Sequence, residues 1–313
     1  LSFEEDNVQA YKTSFGAVIS ALMFITVIIM GFLFGKEIYE RKTPRVVNSE
    51  ELLETGRVQM SEFPLMFVFY DMLANNLEDI NSRLEVRISY LHFDENLHLS
   101  YNLYRGFTEC NPDHFTKHRE FVEATIQQYS AVNFSVYCID HEPDFVVQNP
   151  FTAPNSTSIA VDIYDCNEEF KTQFDPVIAN PEKKFPKCKE KNDVNSVIYA
   201  SSNYMNSFID PGKYSNPVVY YPLSDPISLE EGTALRYDYF LKKSLVSTDI
   251  GWVLEENSEE EVVTLEVPPR ELFLSELQRM AIKIGVPQRR VKLIRDYLKV
   301  QELFAKIGGL FNA

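Results

Sequence analysis

Twenty-two consecutive positions, Ser14 to Gly35 (SFGAVISALMFITVIIMGFLFG), carry no charged residue. At about 1.5 Å per residue, a helix of that length reaches roughly 33 Å, enough for a hydrocarbon core of about 30 Å. Lys12 bounds the run on one side, Lys36 and Glu37 on the other. A secretory signal has a shorter apolar region followed by a small-residue cleavage site, and the continuation KEIYERKTPR offers none. A helix buried in a soluble core seldom runs so far without a polar face. The pattern predicts a transmembrane helix over 14–35, preceded by a short flank, 1–13. Gly16 with Ser20, and Gly31 with Gly35, are small residues four apart, the spacing that lets helices approach closely in a membrane.

After a charged linker, 36–56, the pattern changes to that of strands. Arg57–Met72, Leu84–Phe93 and Leu97–Arg105 are rich in β-branched and aromatic residues, with a DEN turn between the last two. Pro112–Tyr129 predicts the first soluble helix, with Phe115, Phe121, Val122 and Ile126 on its apolar side. Further strands are expected at NFSVYCI, SIAVDIYD, SVIYA, NPVVYYPL, ALRYDYFL, IGWVLEE and EEVVTLEVP. Asn167–Lys187 is polar and proline-bearing, and predicts a loop. The fold class expected for 57–286 is mainly β: a sandwich-like ectodomain with a few helices.

From Pro287 the chain turns basic. Val291, Ile294, Leu298, Leu303 and Phe304 recur at helical spacing behind a proline. Arg289, Arg290, Lys292, Arg295, Lys299 and Lys306 face only Asp296 and Glu302. The pattern predicts a basic amphipathic helix over 287–313 that lies on an anionic membrane surface or leads into a second span. A solvated helix packed on the domain fits the same spacing.

Charge and cysteines narrow the setting. Forty-six acidic residues against 30 basic ones give a net charge of −16, which excludes a nucleic-acid binder. Cys110, Cys138, Cys166 and Cys188 all fall in one region, as two disulfides would, in a pairing the sequence leaves open. Sequons at Asn133 (NFS) and Asn155 (NST) lie near them. Together these favour a luminal or extracellular domain on a cell-surface, ciliary or secretory membrane. Lys36, Arg41, Lys42 and Arg45 after the span point the other way, toward a cytosolic domain.

No P-loop, dinucleotide fingerprint, nucleophile elbow or HExxH motif is present. His114 and His118, four apart beside Cys110, form a weak candidate metal site, opposed by the reading of an exposed helix face next to a disulfide. The only tryptophan, Trp252, follows Asp249 and Gly251 in what reads as a turn into a strand. No active site emerges, and neither an enzyme nor a cofactor is expected.

Three short stretches carry a resemblance: TSFGAVIS (Thr13–Ser20), STDIGW (Ser247–Trp252) and RDYLKVQELFAKIGG (Arg295–Gly309). With them the chain resembles a family of two-span transmembrane proteins of ciliates, in which the final glycines open a second span. A glycine is usual in that family where this chain has Ala17. A weaker, architectural similarity is to cargo receptors of the ER–Golgi intermediate compartment, which also hold a luminal β-domain between two spans. The expected function is a membrane-anchored structural or interaction protein whose partners are the lipid bilayer and other membrane-protein subunits or itself; the alternative is a cargo or ligand receptor of the secretory pathway. Any small-molecule ligand is unknown at this level.

Overall fold

The computed structural model describes residues 14–52, 56–71, 80–139, 141–148, 154–168, 179, 187–188, 198–230, 232–267 and 271–311. The apolar run forms helix α1 (Ser14–Glu40). It is long and apolar enough to cross a bilayer, and 0% of its most apolar window is buried against the rest of the protein. That separates it from a core helix, which the fold would cover. Its last turns, by contrast, enter the domain: Ile38 is 6% and Arg41 5% exposed.

The rest of the fold is mainly β. In chain order the strands are β1 (Arg45–Leu52), β2 (Arg57–Gln59), β3 (Leu65–Asp71), β4 (Leu84–Phe93), β5 (Leu99–Arg105), β6 (Thr108–Glu109), β7 (Val136–Cys138) and β8 (Val146–Gln148). There follow β9 (Ser156–Asp165), β10 (Ile198–Ile209), β11 (Val218–Leu229), β12 (Thr233–Asp249), β13 (Asn257–Glu266), β14 (Glu271–Leu274), β15 (Gln278–Gly285) and β16 (Arg289–Asp296). Helix α2 (Arg119–Ser130) sits between β6 and β7, and α3 (Val300–Phe311) closes the chain.

Two sheets result. The larger runs β1-β16-β12-β15-β9-β4-β5, with β13 and β14 on β12, and β2 joined through β8 to β9. The smaller runs β11-β10-β3-β7-β6. Their facing sides form one apolar core, in which Val86, Ile88, Val161, Tyr237 and Ile282 of the large sheet meet Phe67, Phe69, Ala200 and Ile227 of the small one. Alternation along the central strands, as in Leu84, Val86, Ile88 and Tyr90 of β4 or Tyr237, Tyr239 and Leu241 of β12, puts every second residue into this layer. Helix α2 covers the outer side of the small sheet, Val122 packing with Met66, Val68 and Val136. The apolar positions Phe115, Phe121 and Ile126 join that cluster, but the helix begins later than the periodicity predicts: Pro112–His114 is a separate 3-10 turn.

Strand β12 organises the end of the large sheet at which the helices attach. Its first half pairs β15 and its second half β16, both parallel and along the same edge. On its other edge lie β14 and then β13, antiparallel. Strand β1 adds beyond β16, in a register running from Arg45↔Asp296 to Leu52↔Arg289. Both helices therefore leave the sheet at one end.

Here the structure corrects two expectations. The stretch assigned to a basic amphipathic helix is a strand over Arg289–Asp296, and helix resumes only at Val300. The parallel edge of β12 and the strand β1 hydrogen-bond it from both sides, and tertiary pairing of this kind overrides local spacing. The linker 36–56 is likewise not a tether, since β1 within it is part of the large sheet. Its Glu50 and Glu51 lie beside the basic residues of β16, with Arg289–Glu50 at 3.6 Å, Arg290–Glu51 at 2.8 Å and Lys292–Glu51 at 3.7 Å.

The cysteines pair as Cys110–Cys138 and Cys166–Cys188. The first ties the approach to α2 onto β7. The loop expected between the second pair lies, except for a few positions, outside the described residues.

Candidate functional site

The junction between the helices and the sheet gathers the least ordinary side chains in the molecule. Arg41 follows the last residue of α1 in a left-handed conformation, φ 47°, which a non-glycine residue adopts only when its surroundings hold it there. Its guanidinium lies 4.7 Å from the ring centres of both Tyr214 and Trp252 and 5.8 Å from that of Tyr297. It donates to the carbonyl of Ile250 at 2.8 Å and to the Tyr214 hydroxyl. An arginine can do all of this because its planar fork stacks and hydrogen-bonds at once. Loops β10–β11 and β12–β13 and the segment after β16 supply the cage.

A second guanidinium stands beside the first. Arg295 of β16 is 0% exposed and lies 5.6 Å from the Tyr297 ring centre. It donates to the carbonyls of Pro211 and Lys213, at 3.0 and 2.5 Å, to Thr248 Oγ1 at 3.3 Å and to the Tyr297 hydroxyl. It thus fastens the β10–β11 loop of the small sheet to the large one. Tyr297 is pushed above its ordinary pKa chiefly by burial.

The third element closes the β12–β13 tip. Asp249 Oδ1 accepts from the Gly251 and Glu256 amides, each at 3.0 Å, and its other oxygen meets Lys299 Nζ at 2.7 Å. Burial pushes this carboxyl up, but those three donors outweigh it and hold the group below its usual range. Lys299 is correspondingly raised, first by its hydrogen bond to Asp249. The tip is tight: a Cβ on Gly251 would stand 1.8 Å from the Leu254 carbonyl oxygen, so only glycine fits.

Below these groups opens a cavity of about 380 Å³, lined among others by Glu37, Arg45, Glu255, Asp296 and Glu302 as well as Asp249 and Lys299. Carboxylates outnumber cations in it. Arg45 and Glu302 face each other at 3.8 Å, in an exposed pair that contributes little. Helix α3 touches α1 where Gly35 meets Leu303; a Cβ there would lie 3.6 Å from Leu303 Cδ2. None of these groups forms a nucleophile–base pair. What the arrangement does is hold: two helix ends, two loops and a sheet edge are locked by directional contacts.

The other sequence candidates fall elsewhere. Of the small residues on α1, Gly35 contacts α3, nothing lies within 4 Å of a Cβ built on Gly31, and Gly16 and Ser20 are exposed. The basic residues do not share one face: Arg289 is 70% exposed, Arg290 and Lys292 pair with Glu51, Arg295 is buried, and Lys299 holds Asp249. The Lys306 side chain lies outside what the structure describes. His114 belongs to the 3-10 turn, whereas His118 begins α2 in a left-handed conformation with its ring against Tyr220, so the two do not share a helix face. Cys110 is disulfide-bonded, and among the described residues no group of three or more His, Cys, Asp or Glu side chains is arranged to hold a metal. Asn133 and Asn155 are exposed at left-handed turn positions, φ 60° and 56°, which asparagine tolerates better than most residues.

The junction residues were not recognised as a site from the sequence, yet a signal for them existed. Asp249 and Gly251 come from STDIGW; Arg295, Tyr297 and Lys299 come from RDYLK. Two of the three stretches that carry the resemblance, STDIGW and RDYLK, meet in space, while Ser14–Ser20 of TSFGAVIS lie at the far end of α1. Of the positive charges that follow the uncharged run, Arg41 is held in the aromatic cage, and Lys36 and Lys42 lie 3.8 and 3.5 Å from Glu40 in exposed pairs.

Comparison with known proteins adds the following. No curated protein matches the chain. A solved structure described as the cryo-EM structure of a proton-activated chloride channel aligns over 96% of this chain and 93% of its own, at 10% identity and a TM-score of 0.26, a likeness too slight to carry an argument. A family model matches residues 72–272, which takes in β4 through β13 and the first residues of β14. By that match over more than half its length, the chain belongs to the family described as the Uncharacterised 80 kDa protein N-terminal domain.

Proposed function

We propose that the protein is a membrane-anchored, non-catalytic interaction protein whose β-rich ectodomain assembles with a second copy or with other membrane-protein subunits. The observation that carries this reading is the outer strand β14. Leu272 and Leu274 are 68% and 87% exposed, and Leu277 just beyond it 42%. An apolar outer strand is what soluble domains usually avoid, because it invites pairing. An apolar helix with nothing of its own fold around it, and a rigid connection from that helix into the sheets, support a subunit held at a fixed height on a membrane. The two disulfides suggest an oxidising luminal or extracellular side.

The test is the mass of the full chain in lipid nanodiscs, with cross-linking in the native membrane. A discrete multimer or hetero-complex is expected, weakened by Leu272→Asp with Leu274→Asp. A strictly monomeric, partner-free chain under both conditions overturns the reading.

A further inference from the structure

The tip between β12 and β13 presents three consecutive apolar side chains to the outside: Trp252 at 54%, Val253 at 51% and Leu254 at 77% exposure. Acidic residues follow at Glu255 and Glu256, so the exposure is local and not part of a broad apolar surface. The tip is also stiff, tied by Asp249 across its base and closed by the Gly251–Leu254 approach. A stiff loop that keeps a tryptophan and a leucine in water forgoes burial that a different loop would recover.

Its position says what it meets. The Val300 amide, the first of α3, donates to the Trp252 carbonyl at 3.1 Å, and Gln301 Nε2 donates to the Val253 carbonyl at 2.6 Å. Leu303, three residues further along α3, touches Gly35, the last residue of the uncharged run. Three residues of helix rise about 4.5 Å, which places Trp252 that far above Gly35. The second ruler runs along α1. Helix α1 runs five residues beyond Gly35 to Glu40, about 7.5 Å, and Arg41, which follows it, lies against the Trp252 ring. The headgroup layer on one side of a bilayer is about 5–8 Å deep. Both rulers put the tip in or at that layer, where tryptophan is favoured because its ring is apolar and its N–H wet. Tyr39, 51% exposed on α1, stands in the same zone.

We propose that Trp252, Val253 and Leu254 form a membrane-interface anchor that inserts into the headgroup layer of the bilayer crossed by α1. Glu255 and Glu256 beside the tip make a zwitterionic surface the preferred one, since an anionic surface repels them. The inference rests on α1 being a span, and is independent of whether the ectodomain assembles.

Trp252 is the only tryptophan in the chain, so its fluorescence reports this tip alone. The full chain is reconstituted into phosphatidylcholine vesicles carrying bromine high or low on the acyl chains, and iodide is added from the water. The expected result is quenching by the high bromines at least about twofold stronger than by the low ones, with weak quenching by iodide. Absence of bromine quenching overturns the proposal, whether iodide quenches fully, which puts the tip in water, or fails too, which puts it against a neighbouring subunit. Leu254→Asp is the second arm. Its side chain is exposed, so the fold survives the change, and the emission is expected to shift red and open to iodide. Unchanged bromine quenching in that variant overturns the proposal equally.

Discussion

The space between the two sheets and the junction where the helices join them are held by different forces. Between the sheets, side chains such as Phe67, Ile88, Ile159, Tyr237 and Ile282 are fully or almost fully buried, and the driving force is removal of apolar area from water. At the junction the buried groups are Arg41, Arg295 and Asp249. Apolar burial is non-directional, so it does not fix how the helix ends sit on the sheet. Orientation there has to come from contacts that depend on direction, and guanidinium stacking and charged hydrogen bonds supply them.

That contrast can be broken from either side. The largest effect is expected in the core: Phe67→Ala, which empties a site stacked 5.2 Å from Phe107, costs about 3–5 kcal/mol. In thermal unfolding of the full chain this appears as a Tm lower by about 6–20 °C. Replacing Cys110 and Cys138 together by serine releases a crosslink with a sequence separation of 28 and costs about 2–4 kcal/mol, read in the same assay. Arg41→Ala is expected to do something different in kind. It loosens the helix end by about 2 kcal/mol, seen as protease cleavage near Thr43, while the Tm of the sheets stays close to that of the parent. Arg41→Lys is expected to recover only part of the protection, because an ammonium cannot fork between a carbonyl and two rings.

Acid sharpens the same distinction. The Asp249 carboxyl is held below its ordinary value, so its contribution is fully present above the ordinary aspartate range, about pH 4, and is lost as the pH falls through the depressed one. Hydrogen exchange at the Gly251 and Glu256 amides is expected to lose protection there in the parent and to be weak, without that pH dependence, in Asp249→Asn. The smallest effect belongs to Gly35→Ala, whose added methyl makes an ordinary 3.6 Å contact with Leu303 and is expected to change stability by less than about 0.5 kcal/mol. A marked loss there would mean the helices meet more tightly than this contact indicates.

The hairpin of β4 and β5 was readable because its turn chemistry is local. Asp94 accepts from the Asn96 and His98 amides, each at 2.8 Å, so the signal sits within five residues. The apolar run of α1 was readable for the same reason. Arg289–Asp296 was not, since its apolar residues satisfy a helical spacing while Leu293, Arg295 and Tyr297 alternate as a strand requires. Partners more than 40 residues away in β12, and about 240 away in β1, decide between the two. The acids Glu50 and Glu51 set against Arg290 and Lys292 were the available hint. The junction is not legible locally because its members come from four stretches far apart in the chain, around Arg41, Tyr214, Asp249–Trp252 and Arg295–Lys299. The strand expected at IGWVLEE is instead the loop between β12 and β13, and the carbonyl and ring of Trp252 acquire their roles only when α3 and Arg41 arrive.

The antiparallel pairing of β1 with β16 has a mechanical consequence. Both helices attach at the same end of that pair, where Arg45 lies opposite Asp296. Drawing the helices apart would load first the contacts of Arg41 and Lys299 that lock the junction and then the hydrogen bonds of the seam in series, from Arg45 toward Leu52, as a zipper is opened. The same bonds would share the load in parallel if the strands were sheared. Loading in series is the weaker of the two geometries, so the Arg41 and Lys299 contacts guard the seam, and the apolar layer lies behind both.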